Sequence, residues 1–140
     1  MSTPVYRYKL TVAGQDHLFG DVSGLGLEFE TVVYREGGED VVRQLPGGRK
    51  PTTVSLRHGS PDGYRALWEW IGSVGPETAE RKDVTVSLLD GGAGAPQVTW
   101  TVHGAFPVAL TSLVRLEGCD RPVIGELVLG GDGVEALFQE

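Results

Sequence analysis

The sequence predicts a mainly β domain, an antiparallel barrel or sandwich with one α-helix, and three observations lead there. Apolar residues recur with period two in several separate segments, which places alternate side chains on opposite faces of a half-buried strand. Glycine fills 21 of 140 positions, about twice its usual share of roughly 7%, while 40% apolar and 8% aromatic residues suffice for a packed core. Only one segment shows the spacing of an amphipathic helix. At this length a single domain spanning residues 1–140 is expected to account for the chain.

The first strand is expected over residues 5–13, where Tyr6, Tyr8, Leu10 and Val12 alternate with Arg7, Lys9 and Thr11. Over residues 25–35, Leu27, Phe29, Thr31 and Val33 alternate with Glu28, Glu30, Val32 and Tyr34; this second face mixes apolar and charged groups and suggests a surface covered later. Further strands are expected at residues 53–58, 84–89, 98–103, 108–116 and 123–129, most of them bounded by Gly, Pro or Asp. Seven or so strands is the arithmetic of a sandwich or small barrel. The helix should begin at Ser60-Pro61-Asp62, an N-cap, a proline at the first helical position and an acid suited to the helix dipole. Tyr64, Leu67, Trp68 and Ile71 then form one stripe, with Gly72 or Gly75 as the stop, and the stripe should cover an open end or face of the barrel. Trp68 and Trp70 point to different sides of that helix, so at most one enters the core.

Residues 36–50 read as the longest turn-like interval, with two Gly pairs and an apolar island at Val41, Val42 and Leu45. Long connections in small domains tend to be functional or disordered. A surface hairpin is one reading; an arm that buries the island against another chain is the sharper one. Residues 91–96 look like a simple connector.

Nineteen acidic against twelve basic residues give a net charge of −7, which disfavours non-specific binding to nucleic acid or anionic lipid. No apolar run is long enough to span a bilayer, and Met1 to Leu10 lacks a signal-peptide core, so the chain is expected to stay where it is made. The lone Cys119 has no internal disulfide partner and no electropositive activator nearby in sequence. His17, His58 and His103 are far apart and lack zinc-site spacing, so no metal is expected. Gly24-Leu25-Gly26 has Phe29 where a dinucleotide loop needs its third glycine, and Gly47-Gly48-Arg49-Lys50 meets Pro51 where a phosphate loop needs Ser or Thr. Gly130-Gly131-Asp132-Gly133 reads as a turn rather than one copy of a calcium repeat. Glu28 and Glu30 share a strand face and suit arginines of a neighbouring subunit better than acid/base work. No catalytic residue and no cofactor is predicted, and the chain is not read as an enzyme.

An ordered series of short motifs carries a family resemblance: Asp21-Val22-Ser23-Gly24-Leu25, Glu28-Phe29-Glu30, Tyr34-Arg35-Glu36-Gly37-Gly38, Leu45-Pro46-Gly47, Val54-Ser55-Leu56-Arg57-His58-Gly59 and Leu67-Trp68-Glu69-Trp70-Ile71. It continues through Leu88-Leu89-Asp90-Gly91, Trp100, Gly104-Ala105-Phe106-Pro107 and Gly125-Glu126-Leu127-Val128-Leu129. The series resembles the tail tube family of contractile phage tails and extracellular contractile injection systems over roughly residues 5 to 130, and departs from it over Arg115 to Pro122. The resemblance implies a barrel that forms hexameric rings stacked into a hollow tube inside a contractile sheath, with the long loop reaching an adjacent subunit or ring. The implied partners are other copies of the chain, a sheath protein, baseplate or spike and capping proteins, and protein cargo in the lumen. The implied location is the bacterial cytoplasm during assembly and then the assembled particle. The inter-subunit contacts are assigned to Arg35, Glu36, Glu39, Asp40, Val41, Val42, Arg43, Leu45, Arg49 and Lys50. The acidic balance favours the extracellular or phage branch over the type VI one. A monomeric carbohydrate-binding sandwich, with Trp70 or Trp100 as stacking platform, is the alternative from a different class.

Overall fold

A computed structural model describes residues 6–35, 37–38, 42–73, 81–89 and 98–138. Strand β1 (Tyr8–Val12) turns at Ala13-Gly14, both at positive φ, into β2 (Gln15–Ser23), against which it pairs Leu10 with His17 and Tyr8 with Phe19. Two positive-φ residues in a two-residue connection match the twist of the flanking strands. β2 has no clean alternation in sequence, because inward His17 and Phe19 flank outward Leu18 and glycine and acids follow; it was not among the expected strands. β3 (Phe29–Tyr34) and β4 (Arg43–Arg49) form a separate two-stranded ribbon, and β5 (Thr52–Gly59) returns the chain to β2.

After a 3-10 turn at Pro61–Gly63, α1 (Tyr64–Gly72) leads towards β6 (Lys82–Leu88) and β7 (Val98–Leu110). β7 runs unbroken where two strands, 98–103 and 108–116, were expected; it passes Gly104 at φ +60 and Pro107 and takes in residues 108–110 of the second, the rest of which holds only the two-residue β8 (Leu113–Val114). β9 (Val123–Gly131) and β10 (Gly133–Phe138) are split only by Asp132, so the glycine-rich turn expected there is a break in one long excursion rather than a reversal. Both β9 and β10 pair antiparallel to β7, β10 against Val98 to His103 and β9 against Phe106 to Leu110.

The antiparallel pairings β1–β2–β5–β9–β7–β6–β1 close a six-stranded barrel, with β8 and β10 as additional strands. Closure hides the strand edges that an open sheet would present. Its interior follows the period-two rule: Leu10 and Val12 from β1, Val54 and Leu56 from β5, Val84 and Val86 from β6, Leu127 and Leu129 from β9 are all buried. Each such side chain contributes about 1.5–3 kcal/mol relative to exposure. α1 packs over the barrel with Leu67 and Trp70 buried, while Tyr64 and Ile71 are half-buried. The expected stripe is therefore rotated: Trp68 is 57% exposed and lies against Tyr64 from outside, ring centroids 6.0 Å apart. Ser60 caps the entry through Asp62, and Ser73 Oγ donates to the Trp70 carbonyl at 2.6 Å at the exit.

Candidate assembly surfaces

Residues 36–50 were expected as a turn-like interval, but Arg43–Arg49 are the second strand of the ribbon, and pair Val32 with Leu45, Val33 with Gln44 and Tyr34 with Arg43. The two Gly pairs misled: Gly47 lies in the strand, where a Cβ would stand 3.0 Å from the Glu30 carbonyl, beside the bulge between Phe29 and Thr31. The ribbon is thus an arm built by running the barrel strands β2 and β5 onward through β3 and β4. The departure is set at Gly24, at φ +94, where a Cβ would come within 2.0 Å of the Thr53 carbonyl oxygen. Only glycine fits that approach at that φ.

Both faces of the arm are apolar, and neither is covered among the described residues. Val32 and Leu45 lie on one face, Phe29 and Val33 on the other, and with Leu27 and Val42 their exposures run from 47% to 57%. Isolated exposed apolar residues are ordinary, but four on the ribbon and two flanking it make a concentration of exposed apolar surface. The second face expected to be covered is therefore exposed among the described residues. At the root the charges are already engaged: Lys50 Nζ lies 3.3 Å from Glu28, its backbone N–H donates to the Glu28 carbonyl at 2.9 Å, and Arg49 stacks 6.0 Å from the Phe29 ring. A cleft of about 300 Å³ opens there between Gly24 to Glu28, Arg49 to Thr53 and Val134. Of the assigned contact residues, Arg35, Val42, Arg43 and Leu45 lie exposed along the arm and Arg49 and Lys50 at its base; Glu36, Glu39, Asp40 and Val41 lie outside the described residues.

A second surface was missed by the sequence reading. Leu137 and Phe138 at the end of β10 are 74% and 72% exposed, and β10 pairs only with β7 among the described residues. Its glycine-rich approach hid it, although Val134, Ala136 and Phe138 against Glu135 is itself a period-two signal.

The remaining polar clusters are structural. Ser55 Oγ donates to Glu126, and that hydroxyl first, with Arg57 at 3.3 Å behind it, holds the Glu126 carboxyl below its ordinary range. Arg121 at 2.8 Å, then Ser60, does the same for Asp62, tying the helix entry to the segment before β9. His103 stands 3.5 Å from Asp83 and 3.1 Å from Glu135 on neighbouring strands, His17 is buried under the helix entry, and His58 is exposed; the three do not converge. No group of three metal-binding side chains occurs among the described residues. Trp70 is buried and Trp100 packs half-buried against the core, which removes the stacking platforms of a carbohydrate module. No helix among the described residues is long and apolar enough to cross a membrane.

The structure is thus a closed barrel that extends two of its own strands into an exposed apolar arm. The chain belongs to the family of the T4-like virus tail tube protein gp19, whose model matches residues 4–124, and it is a structural tube subunit. It is similar to a chain in an extracellular contractile injection system, the PVC sheath–tube complex in its extended state, with 32% identity, a TM-score of 0.77, and 99% of this chain and 93% of that one covered. It is also similar to a chain of the anti-feeding prophage cap, the AFP tube-terminating cap, at 29% identity, TM-score 0.77, and 99% and 93% coverage. Hcp1 from Flavobacterium johnsoniae shares the fold at 19% identity, TM-score 0.62, and 96% and 97% coverage. No match was found among curated proteins.

Proposed function

We propose that this chain is the inner-tube subunit of a contractile injection particle, in which copies form hexameric rings and the rings stack head to tail into a hollow tube. A surrounding sheath drives the tube through a target envelope when it contracts. The observation that carries this reading is the arm, whose two apolar faces have no cover among the described residues. Head-to-tail stacking is a heterologous, open assembly, and needs different complementary surfaces on the two sides of each ring; an arm projecting from a closed barrel supplies one of them. Similarity to chains from a sheath–tube complex, a sheath/tube terminator and a tube cap supports a sheath protein and a capping protein as partners. A baseplate or spike would start the stack, and assembly would take place in the bacterial cytoplasm before release in the particle. The greater identity to the PVC chain than to Hcp1 agrees with the acidic balance in favouring the extracellular or phage-tail branch. Protein cargo in the lumen completes the role, which is mechanical and assigns no chemical step to any residue.

Negative-stain electron microscopy and sedimentation of the purified chain, alone and co-expressed with a baseplate protein, test this. Six-fold rings or hollow tubes are expected. Monomers under every condition, including co-expression, would sink the reading.

A further inference from the structure

β10 is held onto the barrel by little, and an ionisable cluster sits at its root. It pairs only with β7 among the described residues, and Val134 is its one buried side chain; Glu135 to Phe138 are all exposed. Glu135 is also its one charged residue. On β7, the ring of His103 stands between two carboxylates from different strands. Nδ1 lies 3.5 Å from Asp83 on β6, and Nε2 lies 3.1 Å from Glu135 on β10. Nε2 is shielded from water, and Glu135 is out of line for a hydrogen bond with it, so their contact is one of charge.

The other charges around the ring are engaged elsewhere. Arg81, ahead of β6, donates to the Gly104 carbonyl and to Asp132, both at 3.2 Å, and its guanidinium lies 4.6 Å from the centroid of the Phe106 ring. Lys82 lies 5.9 Å from the Trp70 ring. From the arm, Arg49 comes within 3.9 Å of the Cβ position of Gly133, the residue opposite His103, and stacks on Phe29. Asp83 accepts the Gly104 N–H at 2.9 Å, and that bond first, with His103 behind it, holds its carboxyl below the ordinary range. Asp83 therefore stays ionised where an imidazole changes charge. Among the described residues, His103 is the ion-pair partner of Glu135.

A neutral imidazole has one N–H and one lone pair, whereas an imidazolium has two N–H donors. The neutral ring serves the carboxylate of one strand and turns a lone pair to the other; the protonated ring attracts both. We propose that His103 is a proton-operated latch for β10, which when protonated ties Glu135 through β7 to Asp83 and when neutral releases that hold. Opening that starts at Phe138, where nothing is buried, must pass Glu135 before Val134 can leave the core. Protonation and docking favour each other, so docking is strongest in mildly acid solution and weakens as pH rises through the imidazole range. The latch stands apart from the tube reading, since every group in it belongs to one subunit.

Amide hydrogen exchange of the full chain from about pH 5.5 to 8, corrected for the intrinsic pH dependence of exchange, tests this, with residues 133–138 read against β1 and β5. Protection of the segment relative to those strands should fall about two- to fivefold as pH rises, the span of an exposed ion pair. His103→Gln cannot titrate, and Glu135→Gln keeps the size without the charge; each should flatten the dependence. A segment that tracks β1 and β5 at every pH, or that gains protection as pH rises, overturns the latch. So does the wild-type slope surviving in either variant.

Discussion

The barrel and the arm are made from the same two stretches of chain, yet they use β-structure in opposite ways. In β5, Val54 and Leu56 point inward and are fully buried while Ser55 and Arg57 point out, so one face of the strand is the core and the other meets water. A few residues upstream, Leu45 on β4 and Val32 opposite it are about as exposed as Val33 and Phe29 on the other face. The barrel half gains stability within the subunit from burial. The arm half has the same propensity to form strands but leaves its apolar side chains exposed, which makes it a surface rather than a piece of core. The physical division falls at Gly24 and Pro51, where the paired strands leave the barrel wall.

The largest expected effect comes from placing a charge on each side of that division. Leu67→Asp buries a carboxylate between helix and barrel, where Leu67 is 1% exposed, and should unfold the domain; loss of near-UV circular dichroism and of a cooperative melt is the readout. Leu45→Asp, and equally Val42→Asp, should leave the monomer's melting temperature nearly unchanged and abolish rings and tubes in sedimentation. If Leu45→Asp unfolded the monomer, the arm would be core and the comparison would fail.

Much of this fold was legible in the sequence, and what was not has physical causes. β1, β5 and β6 place valine or leucine at alternate positions facing the core, and β9 does so at Leu127 and Leu129, so period two shows them directly. β2 hides because its inward positions include His17, which is buried beneath the 3-10 turn instead of replaced by an aliphatic residue, and because Gly20 and Asp21 interrupt it. β4 hides because it is built for an edge, and the proline and glycines that guard an edge are the residues that signal a turn. The start signal at Ser60 and Pro61 opens a 3-10 turn and α1 itself begins three residues later at Tyr64, and Trp68 and not Trp70 was assigned to the buried stripe; hydrophobic spacing permits both, and only the line Leu67–Trp70 over the barrel decides between them. The arm's exposed apolar surface was legible from Val42 and Leu45, but β10 was not seen, because Gly130 to Gly133 suggested the chain turned away.

A smaller effect is expected at the junction between the two regions. Gly24→Ala would put a Cβ within 2.0 Å of the Thr53 carbonyl oxygen, which is backbone and cannot swing aside, at a φ of +94 that costs an L-residue about 1–2 kcal/mol on its own. The barrel should lose several degrees of melting temperature, and the arm should be redirected, so that assembly weakens more than stability does. Gly26→Ala, two residues on, meets nothing within 4 Å and serves as the control. Equal losses in the two variants would place the division elsewhere.

The smallest effect separates barrel from arm by pH. His17 is buried within the barrel, its Nδ1 without a hydrogen-bond partner among the described residues, and burial lowers its pKa below the ordinary 6.5 despite the opposing pull of Asp16. The room for this ring comes from Gly63 at the helix entry, where a Cβ would fall 2.0 Å from that nitrogen. Because the folded state holds the neutral imidazole, the unfolded chain binds the proton more readily. Stability is therefore complete above pH 6.5 and declines as pH falls from there towards the lowered folded value, below which the slope vanishes. Thermal melts of the monomer between pH 7.5 and 5, set against His17→Gln, read this as a difference in slope, independent of any change in level that the substitution itself brings. The carboxylates Asp62, Asp83 and Glu126, all held low by their partners, lose their stabilising contacts only in more acid solution and stay outside this window. Arm variants such as Leu45→Asp should keep the full wild-type slope, since nothing in the arm touches His17; parallel curves for wild type and His17→Gln would show that the buried imidazole is not the group being titrated.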